Sequence, residues 1–210
     1  MPELSIHSLG ESALCCTLPA PVSLDQQQRI WQLAAALSDV DGVQELIPGM
    51  NNLTLVFDPL RTDPAALQAA AHQLWEQPPR RRAPGRRIEI PVTYDGPDLG
   101  DVATHCGLSA DEVVQRHTAG EYVVYFLGFQ PGFAYLGGLD ESLHTPRRHE
   151  PRMSVPAGSV GIGGAQTGIY PLATPGGWQL IGRTSLPLFD PQAAPPTLLA
   201  PGDRVRFVAS

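Results

Sequence analysis

The amino-acid sequence predicts an α+β protein in two parts. Residues 1–79 read as a small α+β domain, residues 80–87 as an Arg/Pro linker, and residues 88–210 as a β-rich domain. Three observations carry this. Helical and strand-like patterns alternate through the first 78 residues, whereas beyond Gly120 only strand-like runs between Gly and Pro turns remain. Pro (22) and Gly (21) make up about a fifth of the 210 residues, which favours short strands and shaped turns over a helical bundle. Between the two patterns lies "RRRAPGRR" (Arg80–Arg87), framed by Pro78, Pro79 and Pro84, which reads as a solvated linker, with a basic tether as the alternative.

The elements follow in order. "LSIHSL" and "SALCCTL" are short strands around Gly10-Glu11. In "SLDQQQRIWQLAAALSDVDG", Leu24, Ile30, Trp31, Ala34 and Leu37 recur at helical spacing, Ser23 or Asp25 caps the start, and Gly42 follows the end. "VQELIP" and "NLTLVFDP" are strands around the turn Gly49–Asn52. Asp63 and Pro64 open a second helix with a Leu67, Ala71, Leu74 stripe that Pro78 stops. Helices on one face of an antiparallel sheet are the natural packing of this order. Past the linker, "RRIEIPVTYDG" is a strand, "GLSADEVVQRHTAG" a short helix with a capping box from Ser109 to Glu112, and "EYVVYFLGF" a strong strand. "SVGIGG", "GGWQLIGRT" and "DRVRFVAS" complete a compact barrel or sandwich.

Composition excludes several chemistries. All 14 basic residues are Arg and the chain has no Lys, so a P-loop, a Schiff base, a biotinylated carrier and a Ser-Ser-Lys amidase triad are all unavailable. A net charge of −7 argues against general nucleic-acid binding. No apolar run approaches the roughly 18 residues of a membrane span. Three Cys, with Cys15 and Cys16 adjacent, form no disulfide framework, and the N-terminus lacks a signal pattern; the expectation is a reduced, soluble, cytoplasmic protein.

Candidate site residues cluster in the second half. "GSVGIGGAQTG" is Gly-rich enough for Gly158, Gly161, Gly163 and Gly164 to form an anion-binding loop, yet Gln166 breaks a dinucleotide fingerprint, and a bulged β-hairpin fits equally. Ser159 lacks the G-x-S-x-G context of a nucleophile elbow. His105 and Cys106 are adjacent and point apart, so they make no dyad. His144 and His149 stand among Arg147, Arg148 and Arg152, cations that repel a metal ion, so no metal is expected. Those arginines suit a carboxylate or phosphate instead, or else a solvated, ion-paired loop that includes Glu150. Gln130, Gln166 and Tyr170 are neutral side chains suited to reading an amide or lactam edge, with structural hydrogen bonding as the equal alternative. No catalytic residue is assigned.

The ordered blocks "YFLGFQPGFAYLGGLD", "TPRRHEPRMSVPAGSVGIGGAQTGIYPLATPGGWQLIGRT", "LFDP" and "LAPGDRVRFV", with "LGESALCCTL" near the start, resemble the KipI family across essentially the whole chain. Its members are named as the B subunit of 5-oxoprolinase, as allophanate hydrolase subunit 1 or as kinase inhibitor. The resemblance implies a small α+β N-terminal domain followed by a cyclophilin-like β-barrel domain. It also implies an ATP-dependent 5-oxoprolinase in which the chain is inactive without two partners, a related KipA-like C subunit plus an A subunit. That assembly opens the lactam of 5-oxoproline to L-glutamate. In that setting Arg147 and Arg152 hold anionic groups, Gln130 or Gln166 reads the lactam, and ATP binds at a site shared with the partners. Two alternatives come with the family: inhibition of a sensor histidine kinase, and the carboxyltransferase-like half of a urea carboxylase-type system. Within the barrel, Gln130, Pro131 and Gly132 are expected to turn the chain over its mouth, with Phe133 and Tyr135 walling a pocket or a docking face.

Overall fold

The computed structural model describes residues 3–78 and 85–210, and the chain divides into two compact units, Met1–Ala83 and Pro84–Ser210. Of the Arg/Pro segment at 80–87, residues 80–84 lie outside the described residues, while Arg86 and Arg87 belong to the second unit's framework. Arg86 donates through its backbone N–H and guanidinium to the buried Asp203. No helix among the described residues is long and apolar enough to cross a membrane.

The first unit is an antiparallel sheet in the order β1 (Ser5–Ser8), β2 (Ala13–Thr17), β4 (Asn52–Phe57), β3 (Val43–Gly49), with helices α1 (Leu24–Leu37) and α2 (Pro64–Glu76). Alternation along β2 and β4 turns Leu14, Cys16, Leu53, Leu55 and Phe57 to one face, where Ile30, Leu33 and Leu37 of α1 and Leu67, Ala71 and Trp75 of α2 close a single core. Ser23 forms a reciprocal capping box with Gln26, and Asp63 caps the amide of Ala65 beside Pro64. Cys16 belongs to this core: burial, with Cys15 alongside, pushes its thiol up to about 12.

The second unit carries β5 (Arg87–Val92), α3 (Leu99–Cys106), α4 (Ala110–Ala119), β6 (Tyr122–Leu127), β7 (Ala134–Gly137), β8 (Arg152–Val155), β9 (Ser159–Gly163), β10 (Gln166–Ile169), β11 (Thr174–Gly176), β12 (Gln179–Arg183) and β13 (Arg204–Ala209). Seven strands form one sheet in the order β12-β9-β10-β7-β6-β13-β5, and β8 pairs with β11 as a separate ribbon. The sheet's two edges meet. Thr93, just past β5, and Arg183 at the end of β12 exchange two backbone hydrogen bonds of 2.9 Å, so the sheet is a nearly closed barrel. Ile90, Val124, Leu136, Ile162, Ile181 and Phe207 fill its interior.

Helix α4 begins at the capping box of Ser109 with Glu112 and contributes Val113 and His117 to that core. His117 is fully buried, and its tautomer follows from its neighbours. The Thr167 hydroxyl donates to the Gly161 carbonyl at 3.0 Å, so it accepts the proton of His117 Nε2 at 2.8 Å. Nδ1 therefore accepts from the Tyr94 hydroxyl at 2.7 Å. Burial pushes the imidazole down to about 3, so it is neutral and joins β10 to the Tyr94 loop. Helix α3 has no counterpart among the elements expected from sequence: its eight residues bury only Val102 and Ala103, too little for a helical period to emerge.

Candidate functional site

Register sorts the side chains of the barrel wall. Thr167 pairs with Leu136 and faces the interior, so Gln166 and Gly168 face outward, opposite Gly163 and Gly161 of β9. On β7 the same alternation turns Tyr135 outward. Against this outer face lies a second small core of Phe133, Val155, Tyr170, Trp178 and Leu180, with Tyr135 packed at its edge. The indole of Trp178 rests on glycine: a Cβ at Gly163 would stand 2.5 Å from Trp178 Nε1, and one at Gly168 3.1 Å from Cζ3. Phe133 meets Trp178, Tyr170 and Tyr135 edge-on, with centroids 5.4, 5.3 and 5.0 Å away.

The three arginines expected to bind anions divide into two kinds. Arg148 and Arg152 are committed to Asp98, whose side chain is 2 % exposed. Arg152 grips it in a bidentate fork, Nη1 to Oδ2 at 2.9 Å and Nη2 to Oδ1 at 2.7 Å, while Arg148 Nη1 reaches Oδ1 at 3.1 Å. Asp98 precedes α3 but caps none of that helix's amides, because its Oδ2 accepts from Leu180 N–H at 2.7 Å. Arg147 is different. Among the described residues it has no carboxylate partner, and its guanidinium carbon lies 5.9 Å from the centre of the Trp178 ring. Burial raises the phenols of Tyr135 and Tyr170 above their usual range; Arg147 acts against this in both, as does the Trp178 backbone N–H bonded to Tyr170.

The remaining expected residues sit around this cluster. Gln166 Nε2 is buried without a hydrogen-bond acceptor among the described residues, and Arg148 Nε is likewise without one. Gln130 donates to the Leu172 carbonyl at 3.3 Å, inside a turn where Phe129 takes a φ of 68° and is 60 % exposed. Pro131 continues that turn, and Gly132, at φ 81°, packs against Phe189. Phe133 is buried in the second core rather than open to solvent, whereas Tyr135 is half-buried. The Gly-rich stretch is a hairpin: Gly161 and Gly163 are strand residues, Gly158 N–H donates to Tyr170 O at 2.7 Å, and Gly164 N–H donates to Thr145 O at 2.8 Å. The amides of Gly158 and Gly164 are therefore already committed. Sequence reasoning passed over Asp98 and Trp178; the signal for the second was an aromatic next to a Gly pair, in "PGGWQL". The outer face thus brings together a guanidinium that has no carboxylate partner among the described residues, the indole beside it, a buried amide donor and two phenols.

The family described as carboxyltransferase domain, subdomain C and D, matches residues 4–199. The Escherichia coli O157:H7 protein named as the B subunit of 5-oxoprolinase is 56% identical over 99% of this chain and 97% of its own. Proteins of the same name from Haemophilus influenzae and Bacillus subtilis are 50% and 44% identical, over 98% and 97% of this chain and 97% and 91% of theirs. The chain belongs to the family of 5-oxoprolinase B subunits. Among solved structures, the family's fold is seen in TTHA0988, 40% identical with a TM-score of 0.83 over 94% of this chain, which spans only 40% of that longer chain. PH0987 from Pyrococcus horikoshii is also 40% identical, over 98% of this chain and 97% of its own, with a TM-score of 0.58. The Kluyveromyces lactis urea carboxylase, 20% identical at a TM-score of 0.81 over all of this chain and 22% of its own, shares the fold.

Proposed function

We propose that the chain is the B subunit of an ATP-dependent 5-oxoprolinase, inactive alone, that works with A and C subunits to convert 5-oxoproline to L-glutamate in the cytoplasm. The observation that carries this is the identity of 44–56% with proteins named as that enzyme's B subunit, spread over the whole chain. The barrel unit is read as cyclophilin-like, and the C subunit is read as a KipA-like relative. The outer-face cluster supports the reading. 5-Oxoproline is a small flat ring bearing one carboxylate and one lactam carbonyl. Arg147 supplies a charge for the carboxylate, Trp178 the apolar support beside that guanidinium, and Gln166 Nε2 a donor for the carbonyl. Arg152 enters through its grip on Asp98 rather than by touching the substrate.

A lactam is a stable amide, and opening it calls for activation of the carbonyl, which ATP supplies in the assembled complex. The amides of Gly158 and Gly164 are committed to the Tyr170 and Thr145 carbonyls, so the triphosphate is assigned to the partner chains at a shared site. This chain's part is to hold the carboxylate and orient the carbonyl. The test is co-expression with candidate A and C subunits, followed by measurement of glutamate released from 5-oxoproline. Release that requires ATP and all three chains is expected; no release in any combination refutes the proposal.

A further inference from the structure

We propose that Asp98 is the positioning residue that sets Arg147 and Trp178 against each other, a role that rests on the reading of Arg147 as the carboxylate-binding group. Arg147 is exposed and lies on a loop, so its direction must come from the backbone around it. Three ties hold that backbone. Thr145 exchanges hydrogen bonds with Gly164 at 3.2 and 2.8 Å, Pro146 O accepts from Gln179 Nε2 at 3.1 Å, and Arg148 N–H donates to Gly177 O at 2.7 Å. The next side chain, Arg148, and then Arg152 both end on Asp98.

The same carboxylate reaches the other half of the pair. Asp98 accepts from Leu180 N–H at 2.7 Å, its own N–H donates to Leu180 O at 2.9 Å, and Leu180 is two residues from Trp178. One buried group therefore fixes the start of β12, just after the ring, and the loop that carries the cation. Asp98 touches no substrate in this scheme; it acts through Arg148 and Leu180.

The test compares Asp98→Asn with Arg147→Ala in the complete complex. Asn keeps the size and one acceptor oxygen but loses the charge. Both variants are expected to raise the KM for 5-oxoproline roughly tenfold with kcat changed less than about twofold, the pattern of binding lost equally from the ground and transition states. In a Trp31→Phe, Trp75→Phe background, the emission of Trp178 is expected to shift alike in both. If Arg147→Ala raises KM and Asp98→Asn does not, the inference falls and the reading of Arg147 stands. If neither raises KM, both fall. A drop in kcat alone for Asp98→Asn overturns the positioning role as well. Should Asp98→Asn fail to fold, Arg148→Gln decides the matter, since it removes one tie and leaves the Arg152 fork; wild-type KM in that variant refutes the inference.

Discussion

Acid should loosen the barrel unit through one residue, His117. Its imidazole is neutral in the native state, with Nε2–H donating to Thr167 and Nδ1 accepting from Tyr94, and burial lowers its pKa from 6.5 to about 3. In the unfolded chain it titrates near its ordinary value. Between those two values the unfolded state binds a proton that the native state refuses, so stability is complete above about pH 6.5 and declines as pH falls. The slope for one such group is about 1.4 kcal/mol per pH unit, so lowering pH from 7 to 5 removes about 2 kcal/mol. That is a substantial part of the stability of a typical domain. The measurement is urea unfolding of the barrel unit at several pH values, followed by Trp178 in the Trp31→Phe, Trp75→Phe background. Carboxylates titrate in both proteins, so His117→Gln in the same background isolates the imidazole. The wild-type free energy should fall more steeply than the variant's by about 2 kcal/mol over this interval. Parallel curves between pH 7 and 5 would show that the native imidazole accepts a proton, refuting the hydrogen-bond assignment.

Two further outcomes are expected. Gly163→Ala places a methyl group 2.5 Å from Trp178 Nε1, so it should displace the indole, cost about 1–3 kcal/mol and alter Trp178 emission; unchanged emission with unchanged melting temperature would contradict the packing. Ser109→Ala removes the hydroxyl and loosens the backbone amide that hold the Glu112 carboxyl below its ordinary value, so an NMR titration should find that carboxyl shifted upward.

The parts of the fold legible in the sequence are those with local causes. The capping boxes at Ser23 and Ser109, and the Asp63-Pro64 start, are set by a few adjacent residues, and the helices begin there. Strand alternation in β2 and β4 marks the core face of the first unit without reference to anything distant. Helix α3 stayed hidden because eight residues with two buried apolar side chains carry almost no periodicity; what defines it is Gly107 in a left-handed conformation and packing against β12.

The site behaves differently, because its meaning depends on partners far along the chain. "RRHEPR" could be read as three equivalent arginines; the division into a buried fork and an available guanidinium is made by Asp98, 50 and 54 residues away from Arg148 and Arg152. Nothing near "GPDLGD" signals that role, since an Asp before a short helix reads as an ordinary N-cap. The glycines of "GSVGIGGAQTG" are equally ambiguous from sequence. Gly can admit an anion or admit a side chain, and here Gly163 and Gly168 admit the indole of Trp178 from 10 or more residues downstream. Pairing register resolves the ambiguity: once Thr167 is committed inward to His117, Gln166 must stand outward beside Gly163 and Trp178. The buried histidine thus fixes, through the period of two along β10, the face of the barrel on which Gln166 stands.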